Sequence, residues 1–134
     1  MTKSRMIVVV DDDPAVLKAY GRLLGRSEHQ VELCGDIAKL VLDPGPLARA
    51  DLLILDQRMP GITGLELLGR MRRILPAGSA GPRVLLISAY LDETIRRQAV
   101  RLGVAKIIEK PVDAGHLIEC VRAALDADVA GSAA

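Results

Sequence analysis

Three successive aspartates, Asp11, Asp12 and Asp13, close the apolar run Met6–Val10, and a fourth, Asp56, closes the apolar run at 52–55. Ser88 follows the run at 84–87, and Lys110-Pro111 follows the run at 105–108. Gathered at one point, these residues would supply carboxylates, a hydroxyl and an amine. Carboxylates held close raise one another's pKa and destabilise a fold unless a cation neutralises them. Hard oxygen ligands at this density suit Mg²⁺ or Mn²⁺, and magnesium typically combines a few carboxylates with waters and phosphate oxygens. A cation beside Asp56 would also neutralise an incoming phosphoryl group. Ser88 could hydrogen-bond a phosphoryl oxygen, and Lys110 could place a point charge against it. A carboxylate can also attack phosphorus itself, giving an aspartyl phosphate.

The elements that must position these residues are legible as alternating patterns. Met6–Val10 is a β-branched run and reads as a strand buried on both faces. Asp13-Pro14 offers an N-cap with proline at the first helical position. Val16, Leu17, Tyr20, Leu23 and Leu24 continue with helical spacing to about Gly25 or Arg26. A short strand at 31–34 precedes Asp36, which can cap a helix over Ile37–Leu42 ended by Pro44-Gly45-Pro46. After the strand at 52–55, residues 57–63 carry Pro60 and Gly61 and read as a loop, with Gly64 serving the same loop geometry. Leu65, Leu68, Met71 and Leu75 mark a third helix, and a Gly/Ala/Pro-rich connection at 76–82 leads to the strand at 84–87. Ile95, Ala99 and Leu102 make a thin helical stripe that Gly103 can terminate. A more mixed strand at 105–108 follows, then Asp113 capping a last helix with Leu117, Ile118, Val121 and Leu125 inward. Five strand–helix alternations imply a parallel sheet covered on both faces. Such open sheets carry their sites at the carboxyl ends of the strands, where every residue of the constellation falls.

The chain has 134 residues, enough for one domain at 1–128 with a flexible tail at 129–134. Half of it is hydrophobic, yet Tyr20 and Tyr90 are its only rings, so the core must be aliphatic. That near absence of aromatics argues against base-stacking RNA or single-stranded DNA readers. A net charge of +1, from 18 basic and 17 acidic residues, gives no electrostatic case for nucleic acid. Cys34 and Cys120 have no metal-ligand spacing and read as buried, reduced thiols. No signal peptide or membrane-length apolar stretch is visible, so a cytoplasmic protein with no membrane contact is expected.

On the segments VVVDDDP at 8–14, DLLILDQRMPGITGLELL at 51–68, LLISAY at 85–90 and IEKP at 108–111, the sequence resembles the receiver domains of response regulators. The likeness to these two-component signalling modules, chemotaxis-regulator-like in kind, spans roughly residues 5 to 126. It implies a flavodoxin-like, doubly wound five-stranded parallel sheet of order 2-1-3-4-5 with five helices. It further implies Asp56 as phosphoacceptor, and Asp11 and Asp12 as the metal-binding acids, one through water. The backbone carbonyl of Arg58 would be a further ligand to Mg²⁺ or Mn²⁺. Ser88 and Lys110 would serve the phosphoryl group, and the Lys110-Pro111 bond would be cis. The implied donor is a histidine kinase or a histidine phosphotransfer protein. The implied activity is self-phosphorylation with self-dephosphorylation, not enzymatic turnover. In the family the fourth helix and fifth strand form an output face, so an output partner or a homodimer could form there.

One departure stands out. Receivers often carry Tyr or Phe three residues before the lysine, and here that position is Ile107. The usual hydroxyl-to-aromatic relay therefore cannot run in its ordinary form. Tyr90 lies two residues after Ser88, close enough to the rim to substitute or to form a partial lid. With Arg58 it occupies the variable positions that, in the family, tune phosphoryl lifetime, and their bulk leans towards slow dephosphorylation.

Blander readings stand beside these. Asp13 is better explained as a cap than as a ligand. His29 and His116 lie outside the constellation, so the chain should receive phosphate from a phosphohistidine and not supply it. Arg70, Arg72 and Arg73, and Arg96, Arg97 and Arg101, read as solvated faces, the second group also as a partner surface. A receiver-like scaffold indifferent to phosphorylation is the alternative that Ile107 favours. An aspartate-nucleophile phosphatase is disfavoured, because Asp56-Gln57-Arg58 lacks a second acid two residues on. A nucleotide-binding protein is disfavoured because the first strand leads into an acidic loop. After residue 126 the chain has no room for an output domain, so it reads as a stand-alone receiver or a piece of a longer chain.

Overall fold

The computed structural model describes residues 4–133, with side chains to residue 126. Five strands form one parallel sheet: β1 (Met6–Val10), β2 (Gln30–Cys34), β3 (Leu52–Asp56), β4 (Arg83–Ser88) and β5 (Lys106–Glu109). Their spatial order is β2-β1-β3-β4-β5, as expected. Five helices connect or follow them: α1 (Pro14–Leu24), α2 (Ile37–Leu42), α3 (Gly64–Ile74), α4 (Glu93–Arg101) and α5 (Ala114–Ala133).

Strand alternation sorts the apolar side chains onto two faces. Val8, Val10, Leu53, Leu55, Val84 and Leu86 face α2, α3 and α4, meeting Leu40, Leu68, Met71 and Ala99. Ile7, Val9, Leu52, Ile54, Leu85 and Ile87 face α1 and α5, meeting Leu17, Tyr20, Leu24, Leu117 and Val121. The central strand β3 is buried along its whole length, whereas β2 and β5 are half-exposed edges. That edge position explains why the last strand looked mixed in sequence.

The helix starts follow from local chemistry. Asp13 Oδ1 accepts from the Ala15 and Val16 amides, Asp36 from Lys39, Asp92 from Ile95 and Asp113 from His116. α3 begins with a reciprocal capping box between Thr63 and Glu66. Gly103, at φ +76°, follows the end of α4.

Several expectations need correction. Residues 57–63 are not plain loop: Arg58–Met59 and Ile62–Thr63 pair as a small antiparallel ribbon around Gly61, at φ +79°. A 3₁₀ turn at Gly45–Arg49 buries Leu47 where the proline-rich segment suggested only a stop. α5 continues to Ala133, so the backbone at 129–133, expected as a tail, is helical. Cys34 is half-buried because β2 is an edge strand, and burial followed by the Glu32 charge pushes its thiol up. Cys120 is buried, with its Sγ 3.6 Å from His116 Nε2. Among the described residues no helix is long and apolar enough to cross a membrane.

Candidate functional site

Parallel pairing aligns the strand ends. Val10 lies opposite Leu55, Asp56 opposite Ile87 and Ser88 opposite Glu109. The ladder then extends past the strands: Asp11 N donates to Cys34 O at 3.2 Å, Gln57 N to Ile87 O at 2.9 Å and Lys110 N to Ser88 O at 2.9 Å. Asp11, Asp56, Ser88 and Lys110 are therefore anchored to a single rim with the rigidity of the sheet itself.

At that rim, one carboxylate oxygen from each of Asp11, Asp12 and Asp56 lies within 4.8 Å of the others. Asp11 and Asp56 are buried at 3 % and 4 % exposure, while Asp12 is exposed. Lys110 Nζ lies 2.8 Å from Asp56 Oδ1, and the Lys110-Pro111 peptide is cis. Apart from that ammonium, no donor among the described residues satisfies the enclosed oxygen.

The electrostatics follow from this crowding. Burial raises the Asp11 pKa, the Asp13 amide at 2.9 Å partly restores it, and the neighbouring Asp56 charge raises it again. Burial alone would lower the Lys110 ammonium, but its contact with Asp56 and the charges of Asp56, Asp11 and Asp12 outweigh this and hold it above its ordinary value. One ammonium thus faces three carboxylates. An enclosed carboxylate oxygen with spare acceptor capacity, beside two further acids, is the donor set a hard divalent cation takes. The residues present fit a hard divalent cation such as Mg²⁺ or Mn²⁺, which Asp11, Asp12 and Asp56 would hold.

The other expected participants fall into place unevenly. Asp13 is the α1 cap and no ligand is needed to explain it. Arg58 lies in the ribbon immediately after Gln57, with its side chain exposed. Ser88 is buried at the rim, but its hydroxyl donates to Tyr90 O and accepts from Tyr90 N at 3.3 Å. It therefore serves the backbone here and does not point to Asp56. Tyr90 is 70 % exposed. Ile107 is half-buried against the core on the α2–α4 face.

Three residues escaped the sequence reading. Tyr20 appeared as a core residue of α1, yet its phenol feels both buried acids. Burial first, and then Asp11 and Asp56, push its pKa up to about 12. Gln57 Oε1 accepts from Leu65 N at 3.0 Å and its carbonyl from Gly64 N at 3.0 Å, tying the segment after Asp56 to the start of α3. Gly64 does more than shape a loop, since a Cβ there would collide with the carbonyl oxygen of Asp56. A glycine placed eight residues after an aspartate carried no signal in sequence, because the close approach is tertiary.

Comparison with known proteins agrees with this geometry. The family model for the response regulator receiver domain matches residues 7–122. The chain belongs to the response regulator receiver family. It is 38 % identical over 126 residues to the transcriptional regulatory protein FixJ of Azorhizobium caulinodans, covering 93 % of this chain and 57 % of that protein. A 14.6 kDa protein of Leptolyngbya boryana is 36 % identical, with 87 % of this chain and 86 % of that one covered. The chain thus spans little more than half the length of the FixJ relative but most of the smaller protein. Among solved structures, a CheY-like receiver domain protein of Methanospirillum hungatei superposes with a TM-score of 0.77 at 22 % identity, covering 92 % of this chain and 95 % of that one. That likeness concerns the fold. Family membership places the chain among the receiver modules of two-component signalling and not among conventional enzymes.

Proposed function

We propose that this receiver is a phosphorylation-controlled switch that accepts a phosphoryl group onto Asp56 from a phosphohistidine donor, in a reaction dependent on Mg²⁺. The observation that carries the reading is the enclosed Asp56 Oδ1, 2.8 Å from Lys110 Nζ and within 4.8 Å of carboxylate oxygens of Asp11 and Asp12. Asp11, Asp12, Asp56 and the backbone carbonyl of Arg58 would hold the cation, which when bound neutralises charge on the phosphoryl oxygens. An Asp56 oxygen attacks phosphorus, the P–N bond to the donor imidazole breaks, and that nitrogen keeps the electron pair. Lys110 carries its charge from the carboxylate to the transferred group. For Ser88 to donate to a phosphoryl oxygen, its hydroxyl must leave the Tyr90 backbone, which frees both a carbonyl and an amide of the β4–α4 connection. With Ile107 in the usual aromatic position, that release is the route by which the phosphoryl group reaches α4 and the α4–β5 output face. Arg58 and Tyr90, both exposed, stand at the positions that tune phosphoryl lifetime in the family, and their bulk supports slow loss of the group.

The donor would be a histidine kinase or a histidine phosphotransfer protein, and the output a partner or second copy at α4 and β5. The test is intact-mass measurement after incubation with acetyl phosphate and Mg²⁺. The chain should gain one phosphoryl mass, Asp56→Asn should gain none, and EDTA should abolish the gain. No gain by the wild-type chain, or equal gain by Asp56→Asn, overturns the proposal. Partner binding that ignores both phosphorylation and Asp56→Asn would support the scaffold reading that Ile107 favours.

A further inference from the structure

The opposite pole of the sheet carries a second, oppositely charged concavity. A cavity of about 480 Å³ opens between the end of α3, the segment entering β4 and the α4–β5 turn, lined by Arg72, Arg83 and Arg101. This is within the range of small-ligand pockets. No carboxylate lines it, and among the described residues none of the three arginines forms an ion pair.

Arg72 was expected to be solvated, but it is half-buried and held in place. Its Nε donates to Leu102 O at 3.2 Å and its Nη1 to Ala80 O at 2.9 Å. Two carbonyls fix the guanidinium plane without neutralising its charge, and burial lowers its pKa. The other terminal nitrogen, Nη2, lies beside Gly103. Gly81 and Gly103, at φ +68° and +76°, flank this guanidinium without side chains that would cover it. A half-buried, positioned guanidinium lacking a counter-ion, with two more arginines lining the same cavity, is suited to hold an oxyanion. Neither tyrosine lines the cavity, so nothing there would stack a base. Recognition by charge alone selects a compact polyanion.

We propose that Arg72, Arg83 and Arg101 form a binding site for a small polyanion of the pyrophosphate class. Arg83 opens β4 and Ser88 closes it, so the site lies about 17 Å of strand away from the acidic rim. It does not depend on the phosphoacceptor reading.

The test is an amide-shift NMR titration of the chain with inorganic pyrophosphate, in EDTA and at constant ionic strength. EDTA removes metal-bridged binding at the acidic rim. Saturable shifts centred on Gly81, Gly103 and Ala105 are expected, with affinity unchanged in Asp56→Asn. The Arg83→Gln/Arg101→Gln double variant should bind at least tenfold more weakly, while its thermal midpoint stays that of wild type. Arg96→Gln/Arg97→Gln removes the same charge from the exposed part of α4 and should bind as wild type. The site is refuted if no saturation occurs below about 10 mM, if both double variants weaken equally, or if the shifts centre elsewhere.

Discussion

Asp11→Asn should stabilise the metal-free protein and remove its response to Mg²⁺. The Asp11, Asp12 and Asp56 oxygens lie within 4.8 Å of one another. At an effective dielectric of about 20, two unit charges at that separation repel by roughly 3.5 kcal/mol. This describes the buried Asp11–Asp56 pair. Exposed Asp12 is screened by water and adds about 1 kcal/mol at most. Burial itself disfavours the Asp11 charge, so its removal gains in that respect too. Two losses oppose the gain. The Asp13 amide keeps a carbonyl acceptor in Asn but no longer a charged one, a loss of about 1 kcal/mol. Lys110 also loses part of its attraction to the cluster. The balance is a stabilisation of about 1–2 kcal/mol in EDTA.

Magnesium should reverse this order. A ligand that binds only the native state stabilises it by about 2.7 kcal/mol at a hundredfold excess over its dissociation constant. Wild type should gain on that scale, and Asp11→Asn, with one ligand neutralised, should gain little. Urea melts of both chains, in EDTA and in excess Mg²⁺, measure all four stabilities. The reasoning fails if Asp11→Asn is the less stable chain in EDTA, or if both gain equally from Mg²⁺. Asparagine is the informative replacement, because alanine would also strip the acceptor from the Asp13 amide.

Tyr20 makes a base-limb prediction. Its phenol is held to about 12 in the native state, against 10.0 ordinarily. The native state thus keeps a proton that the unfolded chain releases, so stability falls as pH rises through this window, by roughly 1.4 kcal/mol per unit. Tyr20→Phe should flatten that fall in urea melts at about pH 9 and about pH 12; an unchanged slope would count against it. Gly64→Ala forces a Cβ onto the Asp56 carbonyl and should lower stability by about 2 kcal/mol or more. Its NMR shifts should centre on residues 56 and 57, and a neutral melt would exclude the close approach. Arg72→Ala strips a donor from the carbonyls of Leu102 and Ala80, a cost of about 1–2 kcal/mol. Faster hydrogen exchange at 78–83 and 102–105 is expected, and exchange unchanged there would show that Arg72 does not tie these segments.

Where a residue's role depends on its own neighbours in sequence, it was readable in advance. Asp13 before Pro14 caps α1, Asp36 opens α2, and Gly103 follows α4, because caps act within a turn of themselves. The parallel sheet and the acidic rim were also legible, since apolar runs were followed by polar residues and parallel pairing brings strand ends together, whereas the strand order came only with the family resemblance. What was missed is tertiary. Arg72 looked solvated because its two acceptors lie eight and thirty residues away. Tyr20 fitted the α1 stripe, and nothing in its spacing showed that its phenol feels the charge of two carboxylates. Cys34 looked buried because an apolar segment does not say whether its strand is an edge. Ser88 shows a different limit: its placement at the rim was foreseen, but the side on which its hydroxyl bonds was not.

The acidic rim is a concentration of repulsion that the rest of the fold must hold in place. Backbone hydrogen bonds that prolong the sheet ladder at Asp11, Gln57 and Lys110 hold the main chain of the rim in place, so its backbone cannot spread without breaking them. Opposing the repulsion is the aliphatic stretch of β3: Leu52, Leu53, Ile54 and Leu55 precede Asp56 with exposures of 1 % or less. Full burial of such a side chain contributes about 1.5–3 kcal/mol, comparable to one carboxylate pair at this spacing. A single strand can therefore hold Asp56 in an unfavourable field without help from aromatic residues. Among the described residues the Lys110 ammonium and the Asp13 amide are what offset that charge, so a divalent cation or a proton would relieve it further. On the proposed reading, affinity of the rim for a cation and a lower stability of the metal-free domain would be two expressions of the same charge.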